Sequence, residues 1–255
     1  MSPHIEEKIA IITGASRGIP LAIAKKLAAD GILVILVARD KKKLESEVNL
    51  INTTGGKAVF LNLDFMDPNA TQVLEHFLKE NRYEPNIIVH GIGGAFGSKT
   101  NDEAEVYEKI IKLNFLIAHD LTMLVHRFAA KQGWGRFIFL GTLAINHKSA
   151  PAPYVAAKSA LLSYMKIVAK EFAAENENLL AMAVSPGAIN VPGKFLHSLA
   201  LNNDPAFEMF MKENRIGIGR LGEPIEIANV ISFVCRNESN YLHGCNIEID
   251  GSASN

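Results

Sequence analysis

Apolar residues in this chain fall into short runs, separated by longer stretches in which they recur at helical spacing. Residues 8–12, 32–38, 58–63, 86–89, 136–140, 179–184 and 246–249 are largely unbroken apolar segments. Such segments are the pattern of strands buried on both faces rather than on one. Residues 21–30, 41–52, 68–81, 103–131, 154–175 and 224–235 carry good helix formers with apolar positions three and four apart. Gly31 stops the first of these, and Gly55-Gly56 the second. Strand and helix alternate along the whole length, which predicts an α/β fold, a doubly wound parallel sheet with helices on both faces. There is no internal repeat, low-complexity stretch or linker, so residues 1–255 are expected to form a single domain. Residues 192–222 break the rhythm. They mix Gly, Pro and Asn with apolar side chains, and are predicted to form a flap of short helices over a substrate.

Composition narrows the function classes. A chain of 255 residues, 48% hydrophobic and 21% charged, is an ordinary globular chain able to bury a substantial core. With a net charge of −1 and scattered Lys and Arg, it offers no field for nucleic acid or an anionic membrane. The one basic run, Lys41-Lys42-Lys43, falls at a helix start and is expected to be solvated. Residues 1–8 are polar and lack a signal core, and the run 32–38 is far short of the ~20 residues that cross a bilayer. Cys235 and Cys245 make neither a disulfide framework nor a zinc pattern, which suits a reducing, cytoplasmic setting. The eight histidines show no metal-ligand spacing, and no metal is expected. His119 and His126 share a helix face and are expected at a surface or interface. His147 is expected to face solvent, and Trp134, between glycines, to pack at a turn.

Candidate chemistry gathers at the ends of the predicted strands. Thr13-Gly14-Ala15-Ser16-Arg17-Gly18-Ile19-Pro20 joins the first strand to the first helix. Glycines there let the backbone turn tightly and approach a pyrophosphate, which the free N–H groups of a helix start can bind. The second strand ends in Val37-Ala38-Arg39-Asp40, with arginine near the place where an acidic residue would bind a ribose 2′-hydroxyl. Arg39 and Arg17 suit a 2′-phosphate instead, and so favour NADP(H) over NAD(H). Further on, Tyr154 and Lys158 stand four residues apart and share one helix face. A cation beside a phenol favours phenolate, which brings tyrosine toward the range of a general acid/base.

Together these segments resemble the short-chain dehydrogenase/reductase family, in its 3-oxoacyl-carrier-protein reductase-like branch, from Lys8 to Gly251. The resemblance implies a Rossmann fold. It places Gly14, Ser16, Arg17, Gly18 and Ile19 at the cofactor phosphates, Arg39 at the 2′-phosphate, and Asp64, Phe65 and Gly91 at the adenosine. Pro186, Gly187 and Ile189 fall at the nicotinamide, and Tyr154 and Lys158 at both cofactor and substrate. Thr142 falls at the family's serine position, where its hydroxyl would meet the substrate oxygen. Asn114 would hold a water linking Lys158 to solvent. The implied activity is hydride transfer between NADP(H) and a small-molecule carbonyl or alcohol substrate, by a homo-oligomer (tetramer or dimer). Four positions depart from the family pattern: Pro20 for glycine, His90 in the place of asparagine, Thr142 for serine and Val191 for threonine. They motivate an alternative, a catalytically silent NADP-binding sensor or regulatory protein.

Overall fold

The computed structural model describes residues 7–146, 150–214 and 216–253. Seven parallel strands form one sheet in the order β3-β2-β1-β4-β5-β6-β7. They are β1 (Ile9–Thr13), β2 (Leu33–Ala38), β3 (Lys57–Asn62), β4 (Ile87–His90), β5 (Gly135–Leu140), β6 (Leu179–Pro186) and β7 (Asn246–Ile249). The five central strands β2, β1, β4, β5 and β6 are buried on both faces, as their apolar runs require, while the edge strands β3 and β7 are only partly covered. Alternate residues serve opposite cores. Ala10 and Ile12 face the layer of α1 (Gly18–Ala29), α2 (Lys41–Thr53) and α9 (Pro224–Val234). Ile9 and Ile11 face the layer of α3 (Ala70–Glu80), α5 (Ile117–Gln132) and α6 (Ala152–Glu175). The expected doubly wound sheet is therefore present. No helix among the described residues is long and apolar enough to cross a membrane.

The predicted helix over 103–131 is one rod with a flaw in it. α4 (Ala104–Ile111) runs into a π turn, Lys112–Leu116, and then into α5. The wide turn is centred on Asn114, whose Nδ2 donates to the Ile110 carbonyl at 2.9 Å, one turn back. The segment 192–222 holds α7 (Phe195–Leu201) and α8 (Pro205–Glu213), the short helices expected. Its two ends are pinned to each other: Ile189 bridges Gly222, and the Asn190 N–H donates to the Gly222 carbonyl at 2.7 Å.

Away from the strand C-termini, Arg136 at the start of β5 is fully buried. Its guanidinium donates to the carbonyls of Gly135, Asn178, Val234 and Arg236 and to Asn240 Oδ1, at 2.8–2.9 Å. Trp134 is buried under it, with the Arg136 and Lys8 cations 4.3 and 4.4 Å from the ring centre. This clamp ties β5, β6 and the end of α9 together.

Candidate active site

Parallel strands bring all their C-termini to one edge, and the strand order reverses between β1 and β4. That reversal opens a crevice in which α/β folds place their ligands. Thr13 stitches the crevice floor. Its hydroxyl donates to the Val89 carbonyl at 3.3 Å and accepts from the N–H groups of Gly91 (3.0 Å) and Ile92 (3.3 Å). Sequence spacing marks Thr13 only as part of the loop motif, because a contact to a distant strand has no signature in local spacing.

On the β1 side, α1 begins at Gly18 with no side chain capping its first N–H groups and no acidic residue in its first turn. Such a helix start is open to an anion. Gly14, Ser16, Arg17, Gly18 and Ile19 line it, with Arg17 exposed. Pro20 fits because of Gly91: a Cβ on Gly91 would lie 2.6 Å from the Pro20 ring and 2.4 Å from the Thr13 carbonyl oxygen. The absence of a side chain at 91 and the bulkier residue at 20 thus accommodate each other. Val191, the other departure in this region, sets a methyl against Gly18, 3.1 Å from where a Cβ would sit. Arg39 lies exposed just past β2, 3.6 Å from the Asp64 carboxylate, with both side chains well solvated. A pair so exposed holds Arg39 only weakly. Phe65, the next residue, is buried against the α3 layer.

On the β5–β6 side stand the groups with chemistry. Thr142 follows β5, its Oγ1 accepting from the Ala144 N–H at 3.1 Å. Tyr154 and Lys158 lie in the first turns of α6. Burial pushes the Tyr154 phenol up, and hydrogen bonding with the Thr142 hydroxyl pulls the other way. The expected lowering by Lys158 is not what dominates. Lys158 is itself buried, its Nζ donates to the Leu140 carbonyl at 2.7 Å, and burial holds its ammonium down to about 8.

The turn after β4 closes over this corner. Asn114 Oδ1 accepts from the Gly94 N–H at 2.9 Å, and Nδ2 donates back to the Gly94 carbonyl at 3.1 Å. At Gly93 (φ +157) a Cβ would come 2.6 Å from Asn114 Oδ1 and 3.2 Å from Lys158 Nζ, so only glycine fits there. Asn114 is thus a staple for the 93–94 turn beside the lysine. Pro186 ends β6, the Gly187 N–H donates to the Ile249 carbonyl at 2.9 Å, and Ile189 forms the bridge at the flap root.

Not every residue singled out in the sequence lies here. His119 and His126 turn toward α6: His119 Nδ1 is 3.0 Å from the Tyr164 hydroxyl, and His126 stacks on Phe172 and pairs with Glu175 at 2.7 Å. His147 lies outside the described residues.

A switch-point crevice with an open helix start, followed by a half-buried tyrosine and a buried lysine four residues apart on α6 and a hydroxyl at Thr142, is an arrangement suited to a dinucleotide-dependent oxidoreductase. Comparison with known proteins agrees: the family model for short chain dehydrogenases matches residues 8–195. The chain belongs to the short-chain dehydrogenase/reductase family, whose members are oxidoreductases that use a nicotinamide cofactor. It is 29% identical over 252 residues to the 3-oxoacyl-acyl-carrier-protein reductase of Escherichia coli (strain K12), covering 97% of this chain and 98% of that one. Its fold matches L-sorbose reductase from Gluconobacter frateurii, complexed with NADPH and L-sorbose. The TM-score is 0.88 at 24% identity, over 100% of this chain and 99% of the other. It also matches 7α-hydroxysteroid dehydrogenase complexed with NADH and 7-oxo-glycochenodeoxycholic acid, with a TM-score of 0.85 at 25% identity over 96% and 93%.

Proposed function

We propose that this protein is an NADP(H)-dependent oxidoreductase that interconverts a ketone and a secondary alcohol, with Tyr154 as general acid/base. The observations that carry the reading are the hydrogen bond between Tyr154 and Thr142 and the burial of Lys158, one turn along the same helix, against the Leu140 carbonyl and the 93–94 turn. The crevice fits the cofactor: its helix start is uncapped, and Arg17 and Arg39 are exposed near the ends of β1 and β2. Gly14, Ser16, Arg17, Gly18 and Ile19 would hold the pyrophosphate, and Arg39 the 2′-phosphate. Asp64, Phe65 and Gly91 would border the adenosine, with Pro186, Gly187 and Ile189 at the nicotinamide. NADPH supplies the hydride when bound.

The protein's own part is to bind the carbonyl oxygen, polarise it and protonate it. The hydroxyls of Thr142 and Tyr154 grip that oxygen. The Tyr154 phenol, protonated and hydrogen-bonded with Thr142, holds the proton that the carbonyl oxygen takes up on reduction. The Lys158 ammonium stabilises the phenolate left behind and binds the cofactor ribose. Asn114 keeps the 93–94 turn against Lys158, beside the water-holding part that the family resemblance implies.

The substrate has an apolar body. Phe96, Phe195, Leu201, Met209 and Ile218 leave 53–72% of their surface exposed in the flap and the turn after β4, where a ligand would cover them. A homo-oligomer, tetramer or dimer, would bury Leu116 of the π turn, Met123 of α5 and Ile167 of α6. A reducing compartment such as the cytoplasm suits the unpaired Cys235 and Cys245. The test is NADPH oxidation across a panel of acyl thioesters, steroid ketones and sugars, with NADH in parallel. Turnover of apolar ketones with NADPH is expected. Tight NADPH binding with no turnover anywhere in the panel would overturn the reading.

A further inference from the structure

His90 ends β4 directly opposite Phe139 of β5, 3% exposed, with its ring 4.7 Å from the Phe139 ring. The next residue of β5, Leu140, provides the carbonyl that holds Lys158 Nζ. Burial first, and the Lys158 charge second, hold the imidazole down to about 3, so His90 is neutral wherever the protein is folded and active. Its Nε2 lies 2.9 Å from Thr122 Oγ1 on α5. Thr122 also hydrogen-bonds Tyr164 on α6, and the Tyr164 hydroxyl lies 3.0 Å from His119 Nδ1. Four side chains from three elements thus form a polar thread, running from the end of β4, one residue along from the strand pair whose next carbonyl holds Lys158, outward between α5 and α6. The layer it crosses is otherwise apolar, built of residues such as Phe137, Phe139, Leu121 and Met165. A buried polar thread carries a desolvation penalty that an apolar side chain at position 90 would avoid.

We infer that His90 is a positioning residue for Lys158: a neutral polar floor under the ammonium, oriented by the Thr122–Tyr164–His119 thread. The inference rests on the reading of Lys158 as part of the reaction. An imidazole dipole eases an ammonium into a low-dielectric site without adding a charge, whereas a phenyl ring gives it nothing. Thr122 gives its own proton to the Tyr164 oxygen, so it accepts from the Nε2–H of His90; Nδ1 is then left with a lone pair, the end of the dipole that favours an ammonium. The charged groups that face the thread are Lys158 at His90, and Glu171 of α6 and Asp120 of α5 at Tyr164. Burial and those carboxylates push the Tyr164 phenol up to about 12, against the Thr122 hydrogen bond, so the thread stays neutral at Tyr164.

The test measures the Lys158 midpoint directly, by NMR titration of 13Cε-lysine protein with Lys158→Met as the assignment control. The variants are His90→Phe, His90→Gln and Thr122→Val, and the pH profile of kcat is recorded beside each. His90→Phe is expected to lower the Lys158 midpoint by about one pKa unit. The alkaline fall of kcat should then begin earlier by the same amount, while KM for the carbonyl stays unchanged. His90→Gln should restore most of the midpoint. Thr122→Val, which cuts the thread at nearly constant size, should shift it the same way by less. Lys158 titrations that superimpose on wild type in both His90→Phe and Thr122→Val would overturn the inference. If His90→Phe does not fold, Thr122→Val alone decides. Failure of the reaction reading would show separately, as wild-type protein without turnover, and would leave the NMR midpoints interpretable.

Discussion

Replacing Lys158 by methionine should abolish turnover and, at neutral pH, make the protein more stable. The lysine is 4% exposed, and burial holds its ammonium down to about 8 against 10.5 for a solvated lysine. At about 1.4 kcal/mol per pKa unit, carrying that charge in the folded state costs about 3 kcal/mol. Methionine keeps the length of the side chain without the charge, but leaves the Leu140 carbonyl without its 2.7 Å donor. That loss returns about 1 kcal/mol, for a net gain of about 2 kcal/mol. In a chain of this size each kcal/mol moves Tm by about 2–4 °C, so a rise of about 4–8 °C is expected at pH 7. The sign with pH is fixed. Because the folded pKa lies below the unfolded one, the unfolded chain binds more protons between about 8 and 10.5, and wild-type stability climbs across that window. The variant has no such climb. Thermal unfolding of both proteins from neutral pH upward should therefore show the full gap below about pH 8, closing as pH rises. A variant less stable than wild type at pH 7, or a gap that widens above pH 8, would refute the reasoning. The active site would then not be storing the unfavourable burial of a charge, a common trade of stability for function.

Other expectations follow from the same geometry. Arg39→Ala should weaken NADPH binding by about ten- to hundredfold, as expected for losing a charge-assisted bond, and should leave NADH binding nearly unchanged, by fluorescence titration. Gly93→Ala should lower kcat with little change in fold by circular dichroism, because its Cβ would press on Asn114 Oδ1 and Lys158 Nζ at 2.6 and 3.2 Å. Arg136→Met should destabilise the protein by about 3–5 kcal/mol in denaturant titrations, as removing a buried cation from its partners does. It strips donors from four carbonyls and Asn240 without touching the site.

The strands and most helices are legible in the sequence because strands buried on both faces write unbroken apolar runs; β6, buried throughout, starts at the expected residue 179. The four-residue spacing of Tyr154 and Lys158 likewise puts them on a shared face by helix periodicity alone. Depth is what a sequence does not carry. Spacing says nothing of burial, so a phenol near a lysine is expected to be pulled down, while burial in fact pushes Tyr154 up. Helical periodicity cannot report a single widened turn, so the π turn at Lys112–Leu116 is hidden in what reads as one helix over 103–131. Long-range partners are hidden too. Pro20 reads as a defect in the loop motif, and only the fold brings it to Gly91, which leaves room for its ring. For His119 and His126, periodicity gives the shared face but not the neighbour that α5 meets there, and that neighbour is α6.

Tyr154→Phe tests the central claim most directly, with NADPH affinity and carbonyl turnover measured on the same preparation. Removing one hydroxyl should lower kcat by at least about a hundredfold, the usual share of a general acid, while the Kd for NADPH stays within about twofold, because the phosphate contacts proposed for the cofactor fall at α1 and the end of β2 rather than at α6. Turnover that survives in Tyr154→Phe, with NADPH still bound, would contradict the assignment of Tyr154 as the proton donor.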